Sequence, residues 1–210
     1  MFCQDEELLL DAIDHALRYP DVRQRDTYIE HNPHDSARTL KSHLADARSV
    51  YDVFHIKDLE YELGYRQPSE ITTLIEDVVS SRTRAAEHLQ RAWSLAFSRD
   101  PELNSACVEA AKAIEAAARD TIEPNNSRAT LGTMIAAMKA KPMKWTTDLT
   151  SPDLDGIEIV INLMTTVWKG HLRHGNPNEP LDVTGQRCEM IVHTAALLVH
   201  WFSSGRVKQA

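Results

Sequence analysis

The apolar residues of this 210-residue chain recur every third or fourth position along most of its length. That spacing places them on one stripe of an α-helix, whereas a half-buried β-strand would need strict alternation. The chain has only seven glycines, so prolines and polar clusters must mark most of the boundaries between elements. The pattern therefore predicts an all-α fold built from amphipathic helices.

Prolines and polar clusters divide this pattern into separate helices. The predicted helices cover about residues 5–18, 21–30, a segment starting at 36, 70–98, 101–122, 128–140, 153–173 and 184–203. Residues 52–66 fit no single pattern and are left ambiguous, and a loop is expected through Trp145 and Pro152. Small alanines at helical spacing between 106 and 117 indicate a helix that packs closely against its neighbours.

One segment carries conflicting signals. Residues 157–161 are rich in β-branched side chains, which alone would favour a strand. Apolar residues continue at helical spacing from Leu154 past this run to Trp168 and Leu172. We therefore predict a helix here, and we expect Trp168 and Leu172 to face the core rather than to stack on a nucleic-acid base.

Pro68 marks the clearest boundary in the chain, because a long helical pattern starts directly after it. We predict a smaller helical N-terminal unit over residues 1–66 and a helical bundle over residues 67–210. A chain of this length accommodates either one large domain or two small ones.

The start of the chain, its apolar runs and its cysteines limit where the protein is expected to work. The acidic start and the lack of an apolar run of about 18 residues argue against a secretory signal and a membrane span, so a cytoplasmic protein without membrane contact is expected. Cys3, Cys107 and Cys188 are far apart in sequence and form no Cys-x-x-Cys pair, so we interpret them as reduced, small apolar side chains.

Net charge argues against a protein that coats nucleic acid. The formal charge is -8, with 12 Lys and Arg against 19 Asp and Glu in residues 1–100 and 11 against 12 in the rest. Non-specific affinity for a phosphate backbone comes mainly from a basic excess, which this chain lacks. A small local site for RNA remains compatible with this charge.

The segment from Trp168 to Gly175 concentrates cationic side chains near the end of a predicted helix. It contains Lys169, His171, Arg173 and His174, and a loop that begins with Gly175 and Asn176 follows. Histidine moves protons near neutral pH and a cation stabilises negative charge on phosphate, so metal-free phosphoryl chemistry can use these residue types. The alternative is that the cations only complement the macrodipole at the end of the helix.

Other patterns give no site of their own. His31 with His34, and His171 with His174, lack the further ligands that a metal site needs, so no metal and no cofactor are predicted. Carboxylates on the alanine-rich helix are expected to form a solvated face; they are Glu109, Glu115, Asp120 and Glu123.

Several segments together resemble a known family. They are residues 85–93, 106–116, 129–132, 173–175 and 192–202, within a region of about 85–205. They resemble the abortive-infection C-terminal domains, which belong to the HEPN superfamily of helical domains. Arg173-His174-Gly175, followed by a short loop and an apolar last helix, carries most of the resemblance.

The resemblance implies a compact helical bundle that pairs as a homodimer, with an antitoxin-type protein as a further partner. In active relatives it implies a metal-independent endoribonuclease of toxin and phage-defence systems. The family motif is an Arg, four to six residues and a His, and His174 matches that histidine as a general acid or base. Lys169 takes the place of the arginine, while Arg173 directly precedes His174. His171 and Asn176 are the candidate substrate contacts.

Lysine lacks the planar guanidinium that binds phosphate through two hydrogen bonds. The replacement of the motif arginine by Lys169 therefore leaves two functions open. In the first, the site is degenerate and the domain dimerises and binds nucleic acid or a partner protein. In the second, Lys169 or Arg173 supplies the cation, and the chain is an active ribonuclease.

Overall fold

A computed structural model of the chain describes residues 4–18, 33–57, 60–152, 154–170 and 183–210. These residues are predominantly α-helical, which confirms a mostly α-helical fold. The chain divides into two compact units. One contains Met1–Gln67 with Phe97–Pro101, and the other contains Pro68–Ala96 with Glu102–Ala210.

The first unit combines two helices with a β-hairpin. Its elements are α1 (Gln4–Arg18), α2 (Pro33–Asp46), β1 (Tyr51–Lys57) and β2 (Glu60–Tyr65). The strands are antiparallel, and Tyr51 pairs with Tyr65 and Val53 with Leu63. Ala37, Val53 and Leu63 form the core, and apolar residues of α1 and α2 pack against it. The predicted helix over 21–30 lies outside the described residues.

The hairpin corrects the prediction of a wholly helical N-terminal unit. Its strands occupy the part of the sequence that was left ambiguous, where aromatic and β-branched residues pack well on a pleated surface. Gly64 lies where the backbone of Phe97 and the ring of Phe54 leave no space for a Cβ atom. A bridge between Gly64 and Ser98 therefore covers part of the edge of β2.

The second unit contains most of the helices. They are α3 (Ser69–Ser80), α4 (Arg84–Phe97), α5 (Leu103–Ile122), α6 (Leu131–Ala140), α7 (Gly156–Gly170) and α8 (Gly185–Ser203). The largest contact is between α5 and α8, while α7 packs on α6 and α8. The alanines at 106, 110 and 113 are fully buried, as their spacing predicts.

The single helix predicted over 70–98 is wrong, because two helices occupy that range. The break lies at residues 81–83, where Arg82 has a φ of 50°. The hydroxyl of Thr83 accepts a hydrogen bond from the backbone N–H of Ala86 at 3.2 Å and so caps α4. The polar run from Ser80 to Thr83 ends one helix and starts the next, although the apolar spacing continues across it.

A second small sheet further corrects the all-α prediction. β3 (Trp145–Thr147) pairs antiparallel with β4 (Val207–Gln209), in the segment expected to be a loop and at the C-terminal end of the chain. The prediction of a helix through residues 157–161 is confirmed by α7. The cap of the last helix is confirmed as well, since the hydroxyl of Thr184 accepts from the N–H of Arg187.

No helix among the described residues is both long and apolar enough to cross a membrane.

Candidate functional site

The predicted site lies only partly within the described structure. His171, Arg173, His174 and Asn176 lie outside the described residues, as do the final residues of the helix predicted over 153–173. Lys169 is described, in the last turn of α7, with an exposed side chain. The structure therefore shows the two helix ends that border the segment from 171 to 182.

Lys169 and Arg187 meet at these helix ends. The guanidinium of Arg187, in the first turns of α8, donates a hydrogen bond to the backbone carbonyl of Lys169 at 3.2 Å. Backbone carbonyls toward the C-terminal end of a helix lie at the negative end of its dipole, so a cation near them is favourable. The contact brings a second cationic residue, exposed like Lys169, to the end of α7. We call this pair the α7–α8 edge.

Close packing fixes the last turn of α7 on two sides. The indole of Trp168 lies so close to Gly132 of α6 that a Cβ atom there would overlap the ring. Gly170 likewise lies directly against the side chain of Ile191 in α8. Trp168 is half-buried in this contact, which places Lys169 on a rigid turn.

A second polar cluster joins α4 to α5 around one buried carboxylate. Oε2 of Glu109 lies 2.7 Å from Nδ1 of His88, and Oε1 accepts from Nζ of Lys112 at 2.6 Å. Nη1 of Arg91 lies 3.9 Å from Oε2. We call His88, Arg91, Glu109 and Lys112 the Glu109 cluster.

The cluster overturns part of the interpretation of the carboxylates as a solvated face. Glu109 is 8% exposed, and its two close partners compensate for the burial of its charge. Burial acts to raise the pKa of Glu109, but the hydrogen bonds from Lys112 and His88 outweigh burial and hold the pKa below its usual value.

Two further carboxylates, Glu115 on α5 and Glu123 directly after it, have structural roles at the start of α6. Oε1 of Glu115 accepts from the backbone N–H of Leu131 at 2.7 Å, and Oε2 of Glu123 accepts from the hydroxyl of Thr133 at 2.6 Å. Thr130 and Thr133 complete a capping box at the same helix end. Of the four carboxylates predicted to form a solvated face, only Asp120 is exposed.

Two cysteines that are far apart in sequence are neighbours in the structure. Cys107 of α5 and Cys188 of α8 are fully buried, and their thiols are neighbours. Sγ of Cys188 lies 3.5 Å from the carbonyl oxygen of Leu103, to which it donates. The interaction with Cys107 and burial both raise the pKa of the Cys188 thiol. Cys107 and Cys188 are thus buried, as expected, but they are not isolated from each other.

Within the described part of the chain, no group of three histidine, cysteine or carboxylate side chains is arranged to hold a metal ion. Of the two His-x-x-His pairs, only His34 is described, and its ring bonds the hydroxyl of Tyr61. His31, His171 and His174 are outside the described ranges.

Sequence patterns gave no sign of His88, Arg91 or Arg187 as site residues. His88 and Glu109 are 21 residues apart, and Arg187 and Lys169 are 18 apart, on different helices in each case. Only the spacing of His88 and Arg91, which places them on one face of a helix, is visible in the sequence.

No protein-family model matches the chain, and searches of curated proteins and of solved structures likewise found no match.

Proposed function

We propose that this chain is a HEPN-like helical protein of the abortive-infection type that binds RNA through the α7–α8 edge. The observation that carries the proposal is the contact between Arg187 and Lys169, which joins two cationic residues at the helix ends beside Arg173 and His174 in the sequence. The site is degenerate as an enzyme, because Lys169 replaces the arginine of the family motif.

The charges of the molecule suit a local RNA site. With a net charge of -8, the chain as a whole repels a phosphate backbone, so binding needs a concentrated group of cations. Lys169 and Arg187 supply two exposed cationic side chains on helices that are fixed by packing. Contacts to phosphate from rigid elements position a strand without specifying its sequence.

RNA binding is tested by the fluorescence anisotropy of a labelled single-stranded RNA. We expect Lys169→Gln and Arg187→Gln each to weaken binding about tenfold, the effect of losing one charge-assisted contact. The matched control is Lys139→Gln, which removes an exposed cation in the last turn of α6 and leaves binding unchanged. Equal affinities for all four proteins would contradict the proposal.

A second candidate function is a metal-independent endoribonuclease. It is favoured by His174, which follows Lys169 at the spacing of the family motif. Here His174 acts as general acid and base on the ribose 2′-hydroxyl and the leaving oxygen, and Lys169 or Arg173 stabilises the phosphorane charge.

Cleavage of the labelled RNA in the presence of a chelator separates the two functions. The binding proposal expects intact RNA with the wild-type chain and with His174→Ala. Cleavage that survives the chelator and disappears in His174→Ala would instead establish the ribonuclease.

The proposal includes pairing as a homodimer and an antitoxin-type protein partner, both implied by the family resemblance. Sedimentation equilibrium is expected to give twice the chain mass of 23.7 kDa. A monomer at micromolar concentration would remove dimerisation from the account and leave the RNA site to be judged by its own variants.

A further inference from the structure

We propose that the Glu109 cluster is a second ligand site, made of residues other than those of the α7–α8 edge, and that it binds the phosphate group of a phosphate monoester. In this site His88 and Arg91 contact the phosphate oxygens. Glu109 contacts the histidine ring and fixes its orientation, and Lys112 holds Glu109 in place.

Glu109 has all the charge compensation it needs without Arg91. Each of its two oxygens already has a close donor, from His88 at 2.7 Å and from Lys112 at 2.6 Å. Nη1 of Arg91 lies 3.9 Å from the carboxylate, which is too far for a hydrogen bond. A network that only neutralised Glu109 would not require this third cation.

Arg91 is exposed although it forms a long ion pair with Glu109. Its side chain is 64% exposed. Glu87, four residues earlier on α4, is in the right position to pair with it, but no ion pair joins the two in the described structure. An arginine exposed to this extent can offer N–H donors to a ligand, in the planar arrangement that matches phosphate oxygens.

The contact with Glu109 fixes the orientation of the His88 ring. A histidine that donates through Nδ1 to a carboxylate has its other nitrogen, Nε2, available to a ligand. The side chain of His88 keeps 19% of its surface exposed, so the ring is held firmly but is not sealed from solvent. His88 and Arg91 are three residues apart on α4 and so share one face.

The cluster and its neighbours on this face of α4 are positive on an acidic chain. The three positive charges of Arg84, Arg91 and Lys112 stand against the two negative charges of Glu87 and Glu109. Arg84 lies one turn before His88 on the same face of α4 and is exposed.

These features select a phosphate monoester from among small anions. A monoester carries a charge of about -1.5 to -2 at pH 7, which complements a positive cluster. Its three terminal oxygens accept from the arginine fork and from the histidine together. A monocarboxylate has two oxygens and cannot use both residues equally well.

NMR of the ¹⁵N-labelled histidine rings tests the site in the full chain. Inorganic phosphate is titrated at constant pH and ionic strength, and the His88 signals are assigned by their loss in His88→Gln. We expect the Nε2 signal of His88 to shift and saturate with a dissociation constant on the order of 1 mM. Arg91→Gln should weaken this response at least tenfold.

Two controls keep the test specific. Arg206→Gln removes an arginine with 61% side-chain exposure that is ion-paired to Asp148, and it should leave the response unchanged. Acetate at the same concentrations should produce less than one tenth of the phosphate shift. No saturable shift with phosphate, equal affinity in Arg91→Gln, or an equal response to acetate would overturn the proposal.

The source of the phosphate group is resolved by comparing ligands. A 5′-nucleoside monophosphate is compared with a short RNA carrying either a 5′-phosphate or a 5′-hydroxyl. A response to the phosphorylated RNA alone indicates a strand end, a response to the nucleoside monophosphate alone indicates a small nucleotide, and a response to both shows that the site recognises the phosphate group on either carrier. Because Lys169→Gln should not alter the His88 response, failure of this site and failure of the α7–α8 edge are distinguishable.

Discussion

Glu109 shows how far a single residue can depart from what its sequence neighbours suggest. It occurs on an alanine-rich helix with other carboxylates, where a solvated face is the usual arrangement, yet its side chain is buried. The reason is that α4 supplies His88 to one carboxylate oxygen while Lys112, one turn along α5, reaches the other. A helical pattern within α5 reveals Lys112 but cannot reveal a partner from another helix.

Glu109→Gln is expected to lower the free energy of unfolding by about 1–3 kcal/mol at pH 7, because two charge-assisted hydrogen bonds are weakened in a buried position. Asp120→Asn, an exposed change on the same helix, is expected to stay within about 0.5 kcal/mol. Urea unfolding followed by circular dichroism measures both values. A Glu109→Gln protein as stable as the wild type would show that the cluster contributes nothing to folding.

The difference in the free energy of unfolding between the wild type and Glu109→Gln is expected to depend on pH. The pKa of Glu109 is lower in the folded state than the value of about 4.3 for an unfolded glutamate, so its ionised form stabilises the fold above that value. This stability is lost as pH falls through the folded pKa. The gap between wild type and Glu109→Gln should therefore narrow steadily below about pH 4.3, and a gap that widens there would contradict the assignment.

At the scale of elements, long amphipathic segments could be predicted and their interruptions could not. The β-branched run in α7 forms a helix because the apolar stripe continues beyond it, which outweighs the strand preference of those residues. The break between α3 and α4 was missed because the apolar spacing continues through it while Thr83 caps a new helix. The hairpin of β1 and β2 was missed because neither strand shows strict alternation of buried and exposed residues.

Gly132→Ala tests the packing of α6 against α7, which holds the last turn of α7 and therefore Lys169 in place. An added methyl group would overlap the rigid indole of Trp168, so we expect a loss of about 1–3 kcal/mol and a change in tryptophan fluorescence. Gly185→Ala is the matched control, because a Cβ atom there meets nothing within 4 Å and the change should be neutral or stabilising by up to about 1 kcal/mol. Equal stability of the two variants would contradict this packing.

At the scale of the whole molecule, net charge and a mostly helical fold could be inferred from the sequence, while the contacts that assemble the candidate sites could not. Lys169 was predicted as a candidate site residue from its position near the end of a predicted helix, but its contact with Arg187 depends on the packing of α8 beside α7. The two buried cysteines became neighbours through the packing of α5 on α8. Each of these pairs depends on contacts between helices that are distant in sequence, which helical spacing does not encode.

We propose above all that this acidic, mostly helical protein binds RNA through cations at the α7–α8 edge. The most direct test is the salt dependence of RNA affinity in the Lys169→Gln/Arg187→Gln double variant. Each phosphate contact on a single strand contributes about 0.7 to the slope of log K against log salt concentration, so the double variant should lose about 1.4 from that slope. A slope identical to that of the wild type, with equal affinity at low salt, would contradict the claim.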